Sequence, residues 1–112
     1  MPSTINYQAG ELLLMDFPFT TGTQFKARPA LVLLDAGDAD LLVARITSQS
    51  VGTSYDVSLT DWRQAGLLSP SSVRLHKLVT SAKFRVIRVL GRLEPGDRQK
   101  VSTVLQQLFG AW

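Results

Sequence analysis

Three short stretches of this 112-residue chain carry the side chains best suited to chemistry. In "FKARPALVLL", Arg28 stands one residue ahead of a proline and an apolar run. Pro29 fixes the local backbone, and guanidinium is the side chain whose planar fork best matches a phosphate. The plainer use of Arg28 is an ion pair with Asp16 or Asp56. In "LLVARITSQS", Thr47 and Ser48 end an apolar stretch and are followed by Gln49. Hydroxyls at a strand end commonly satisfy nearby backbone groups, so alone these residues say little. In "SSVRLHKLVT", strand parity sets Arg74 and His76, the only histidine, on one face. A lone histidine is usually structural, but a neutral imidazole beside a fixed cation is what a general base requires.

Other chemistries are disfavoured. There is no cysteine, which removes disulfides, thiolate metal sites and cysteine nucleophiles, and fits a reducing compartment. The three aspartates of "DAGDAD" lack the spacing and distal glutamate of a calcium loop and read as turn residues, so no metal is expected. The start "MPSTINYQAG" has no signal-peptide character, and no run approaches the length of a membrane span, giving a cytosolic expectation.

One domain is expected at this length. "ELLLMDF" (11–17) reads as a first strand and 18–27 as a polar loop rich in Thr, Gly and Pro. "RPALVLLD" is a second strand, nearly all apolar, as where both faces are covered. "AGDAD" turns into "LLVARITS", in which Leu41, Val43, Arg45 and Thr47 share one face. A short strand "YDVSL" leads to "TDWRQAG", where Thr60 or Asp61 can cap one or two helical turns that Gly66 stops. "SSVRLHKLVT" and "FRVIRVLGRL" are further strands. From Pro95 the residues Val101, Val104, Leu105, Leu108 and Phe109 recur at helical spacing up to Gly110. The sum is a mainly β, α+β domain: about six strands forming a small curled sheet or barrel, with one C-terminal helix.

The formal charge is only +3, but eight of the twelve Lys and Arg residues fall between Arg74 and Lys100 against two acidic residues. That stretch is +6 and the remainder −3, so a polyanion is the natural partner to suspect, solvated strand and helix faces being the bland alternative.

Taken together, "GELLLMDF", "KARPALVL", "ARITSQ" and "SVRLHKLVT" resemble, in order, four blocks of the MazF/PemK family of toxin endoribonucleases. The resemblance implies a small SH3-like β-barrel with a C-terminal helix, normally a homodimer. It implies metal- and cofactor-free cleavage of single-stranded RNA by the ribose 2′-hydroxyl, and neutralisation by a small antitoxin with an acidic tail. By position, Arg28 and Thr47 match the family's catalytic arginine and threonine, and Arg74 and His76 fall where some members carry an arginine acid and an aspartate base. Phe25, Lys26, Ser48, Gln49 and Lys77 are expected to contact substrate, with Phe25, Tyr55 or Trp62 as candidate stacking platforms. The chain departs from the family in having His76 for an acidic residue and in lacking the Glu-Gln pair often found before the arginine. Two rivals share the fold. One is a CcdB-like gyrase-inhibiting toxin, for which the terminal "FGAW" speaks; the other is a barrel that binds RNA without cutting it.

Overall fold

The computed structural model describes residues 5–18 and 25–111. Along the chain come β1 (Glu11–Pro18), β2 (Phe25–Leu34), β3 (Asp40–Thr47), β4 (Asp56–Ser58), β5 (Ser72–Ala82), a 3-10 turn (Lys83–Arg85), β6 (Val86–Arg92) and α1 (Pro95–Phe109). The centre of the expected 18–27 loop and the terminal Trp112 lie outside the described residues.

The strands form one antiparallel sheet in the order β4-β5-β3-β2-β1-β6. Its central strands are apolar without alternation because both of their faces are buried. On one face Leu12, Leu31, Ala44 and Ile46 join Val73 and Leu75 beneath Val101, Val104, Leu105 and Leu108 of the helix. On the other, Leu13, Met15, Phe17, Ala30, Val32, Leu41 and Val43 pack with Tyr7, Val79 and Val86. The expected helix is present over the expected residues, with Pro95 in its first turn and Gly110 at its end.

The expectation of a closed barrel is corrected. β4 and β6 stand at opposite ends of the strand order and do not pair. β4 is only three residues long, and residues 59–71 leave strand geometry, so no ladder is available to close the sheet. The gap is instead spanned by a turn over residues 60–66. At Gly66 (φ +99°) a Cβ would collide with the backbone of Leu90, and at Gly91 a Cβ would collide with that of Ala65. The turn contains one α-helical bond, Ala65 N–H to the Asp61 carbonyl at 3.0 Å, and Gly66 stops it as expected. Its cap is not Thr60 or Asp61, however. Asp97, fully buried at the start of α1, accepts the backbone N–H of Thr60 at 2.9 Å and of Asp61 at 2.8 Å.

Two boundaries also move. β2 starts at Phe25, so Arg28 lies inside a strand, because Phe25–Arg28 pair with the end of β1 from Pro18↔Phe25 to Met15↔Arg28. β6 starts at Val86, because Lys83–Arg85 turn to bring the Lys83 ammonium to within 3.0 Å of Asp35. The "DAGDAD" aspartates do turn work: Asp35 accepts the Gly37 N–H and Asp38 that of Asp40.

Candidate active site

Pro29 shapes the site's first wall. Pairing between β2 and β3 runs from Leu34↔Leu42 to Ala30↔Arg45 and ends there, where the next β2 residue has no N–H to give. Phe25–Arg28 therefore pair only with β1 and remain exposed. Continuing the β2–β3 register by two residues would set Arg28 opposite Thr47, at the point where the ladder has stopped. A cavity of about 630 Å³ opens here, lined by both residues.

The opposite wall comes from β5. Arg45 of β3 stands directly across from Arg74 of β5, and Arg74 across from Asp56 of β4. Arg74 and Arg45 both line the cavity, as do Ser48, Gln49 and Arg88 of β6. Leu67, Leu68, Ser69 and Ser71, downstream of the 60–66 turn, complete it. Four arginines thus line one space, and among the described residues none that lines it is acidic.

The pairings within this set decide what each group can do. No carboxylate among the described residues pairs with Arg28, and Asp56, one of its two candidate partners, is bonded to Arg74 through Nε at 2.9 Å instead. Arg45 lies 5.3 Å from the centre of the Phe17 ring, a cation–π contact that leaves its N–H groups available. The Thr47 hydroxyl oxygen accepts the Gln49 N–H at 3.1 Å, which leaves its proton to donate into the cavity. Like charges directly opposite in a ladder are destabilising, so an anion bound between Arg45 and Arg74 relieves that repulsion. Burial raises the Asp56 pKa, but the Thr53 hydroxyl and N–H and the Arg74 guanidinium outweigh it and hold the carboxyl below its ordinary value. Asp56 is therefore charged at neutral pH.

Of the nine residues proposed from sequence, the structure brings together Arg28, Thr47, Ser48, Gln49 and Arg74. His76, Lys77, Phe25 and Lys26 are not among the lining residues. His76 sits two residues beyond Arg74 along β5, half-buried, with its ring 5.5 Å from that of Tyr55 and its Nδ1 buried without a hydrogen-bond partner. Among the candidate platforms, Phe25 stacks under Arg85 at 4.2 Å, Tyr55 meets His76, and Trp62 packs against the helix-side core. Arg45, Arg88 and the Leu67–Ser71 wall were not singled out from sequence. Arg45 carried a signal, being the one charge in "LLVARIT" and two residues before Thr47 on the same face. Arg88 and the 67–71 wall carried none, since only tertiary closure brings them to the groove.

Comparison with known proteins decides the family. The family model described as PemK-like, MazF-like toxin of type II toxin-antitoxin system matches residues 8–109. The chain belongs to this family. Many solved structures share its fold, among them the following three. An endoribonuclease in complex with its cognate antitoxin from a mycobacterial species superposes with a TM-score of 0.75 at 20% identity, covering 96% of this chain and 99% of that one. MazF in a MazE–MazF crystal structure from Deinococcus radiodurans gives 0.74 at 22%, with 95% and 98% covered. The Mycobacterium tuberculosis toxin MazF-mt6 gives 0.72 at 22%, with 91% and 99% covered. No curated protein sequence matches the chain. For a PemK/MazF-type chain, the groove walled by four arginines and a threonine is the candidate active site.

Proposed function

We propose that this toxin is an endoribonuclease that cleaves single-stranded RNA without a metal ion, and that its active site is the arginine groove. The observation that carries the proposal is the convergence of Arg28, Arg45, Arg74 and Arg88 with the Thr47 hydroxyl on one cavity that has no acidic lining residue among those described. In this reading the ribose 2′-oxygen gives up its proton and attacks the adjacent phosphorus while the bond to the 5′-oxygen breaks and that oxygen takes a proton from water, leaving a 2′,3′-cyclic phosphate and a 5′-hydroxyl. Charge builds on the non-bridging oxygens. Arg28 and Arg74, on facing walls, receive it, and Thr47 donates its free proton to one of them. Ser48 and Gln49 contact the same nucleotide, while Phe25, Lys26 and Lys77 hold the strand beyond the groove. His76 takes the 2′-proton only from an RNA that follows β5 past Arg74, because it stands outside the groove itself.

The partners follow from the same charge. A groove of this sign suits the acidic tail of a small antitoxin, and two of the three solved structures named above are toxin–antitoxin complexes. We propose the same partner here, with a homodimer as the active form and the cytoplasm as its place of action; no helix among the described residues is long and apolar enough to cross a membrane.

The test is incubation of the purified protein with end-labelled single-stranded RNA in EDTA. Cleavage should persist, leave a cyclic phosphate, and vanish when the scissile ribose is replaced by deoxyribose. Binding without cleavage would sustain the second reading, an RNA-binding domain that does not cut, which the position of His76 outside the groove favours. Neither binding nor cleavage would end both.

A further inference from the structure

Arg74 differs from the other arginines of the groove in being held from behind. Its Nε–H donates to Asp56 Oδ1 at 2.9 Å, and its side chain is 27% exposed against 4% for that of Asp56. The other carboxylate oxygen, Oδ2, accepts the Thr53 hydroxyl at 2.7 Å and the Thr53 N–H at 3.1 Å. Thr53 Oγ1 in turn accepts the Tyr55 N–H at 3.2 Å, and the Asp56 N–H returns to the Thr53 carbonyl at 3.2 Å. Both oxygens of the carboxylate are thus occupied, nearly out of water, by a closed turn of four residues. Asp56 is not among the residues lining the groove, and Arg74 is.

The geometry points to Asp56 as the positioning residue of the catalytic groove, acting through Arg74; this assignment rests on the endoribonuclease reading. A bidentate ion pair would consume the guanidinium. A bond to Nε alone fixes the plane of the fork and leaves both Nη groups, with four N–H donors, outside the ion pair on a residue that lines the cavity. The carboxylate also sits on the far side of Arg74 from Arg45 in the same cross-strand row, so it offsets the repulsion that would otherwise swing Arg74 out of the groove. Thr53 completes the device by orienting the carboxylate.

A double-mutant cycle separates this role from simple support of the fold. Asp56→Asn and Arg74→Ala are made singly and together, and single-turnover cleavage of one RNA is measured beside the Kd for its uncleavable 2′-deoxy analogue. Asp56→Asn preserves shape and one acceptor but removes the charge, so it should slow cleavage about tenfold or more while changing the Kd by less than about threefold. In the Arg74→Ala background the same change should do nothing further. Thr53→Val should show a smaller loss with the same dependence on Arg74. Equal losses from Asp56→Asn with and without Arg74 would overturn the assignment. Should the wild type bind RNA but not cut it, the endoribonuclease reading fails by itself, and the cycle is read in the Kd alone: coupling there supports Asp56 acting through Arg74, and additivity refutes it.

Discussion

Asp97 offers a direct measure of how the fold holds the groove's outer wall. The 60–66 turn spans the gap between β4 and β6, and Leu67, Leu68, Ser69 and Ser71, which follow it, line the cavity. What ties the turn to the body is the carboxylate of Asp97, 1% exposed, which accepts two backbone N–H groups from the turn at 2.9 and 2.8 Å. Lys100 adds an exposed contact, 3.4 Å to Asp97 and 2.6 Å to the Thr60 hydroxyl. Asp97→Ala leaves both donors without a protein partner. Each unsatisfied buried donor costs about 1–3 kcal/mol, and because Thr60 is exposed and open to water the sum should fall near 2–4 kcal/mol. At roughly 4 °C per kcal/mol for a domain of this size, Tm should drop by about 8–16 °C. Asp97→Asn, which keeps one acceptor oxygen, should lose about half as much. Urea unfolding followed by circular dichroism gives the free energies, and RNA cleavage at 20 °C should stay near wild type while the protein is folded. A loss under about 0.5 kcal/mol for the alanine variant would show that the turn is held by its backbone packing on Leu90 and Gly91, and the capping argument would be wrong.

Removing the Arg28 guanidinium should cost cleavage about two orders of magnitude without unfolding the protein, and Arg28→Lys should lose nearly as much because a point charge cannot reproduce a fork; near-full activity of the lysine variant would refute the clamp. Thr47→Val removes one donor and one acceptor at constant shape, so single-turnover cleavage should fall at least tenfold while the Kd for the deoxy analogue changes little; equal losses in both would leave Thr47 a binding contact only. His76→Ala should lower single-turnover cleavage about a hundredfold where His76 takes the 2′-proton, and cleavage close to wild type in that variant would place the base elsewhere. Stability should fall as pH drops below about 4: Asp35, held low by the Tyr7 and Gly37 N–H groups and by Lys83, and Asp56, held low by Thr53 and Arg74 against its burial, are both charged in the folded protein and easier to protonate once it unfolds. Removing both carboxylates as Asp35→Asn/Asp56→Asn should flatten that acid limb in chemical denaturation, and an unaltered limb would assign it to other groups.

The elements legible in the sequence were those with strong local signals. α1 was marked by its apolar spacing between Pro95 and Gly110, and β1 and β3 by apolar runs bounded by turn residues. What was missed depended on partners distant in sequence. The start of β2 is polar and exposed, and only its pairing with the end of β1 makes it a strand. The cap of the 60–66 turn comes from Asp97, 36 positions beyond Asp61, so no inspection of "TDWRQAG" could supply it. Closure was misjudged for the same reason: a short β4 followed by thirteen residues without a strand cannot pair with β6, yet the glycines at 66 and 91 let backbone meet backbone across the gap. In the site, parity sufficed for Arg74 and for Thr47 but not for His76. β5 has a register shift where its partners change from Arg74 opposite Arg45 to Leu78 opposite Ala44, and His76 falls within it.

The groove is also where the sequence is least consistent with stability alone. Arg45 could be any strand-forming polar residue, yet it faces Arg74 in the same ladder, with Arg28 and Arg88 added to the same space. A fold selected only for stability would disperse these charges, whereas this one fixes one of them with Asp56 and leaves the others open to the cavity. Pro29 shows the same pattern. It ends the β2–β3 ladder one residue before Arg28, giving up the backbone bonds that would have sealed β2 against β3 at Thr47. Lost pairing and crowded like charge fall at one place on the surface, and a polyanion entering there recovers part of both, since its phosphates supply acceptors and charge beyond what Asp56 alone provides.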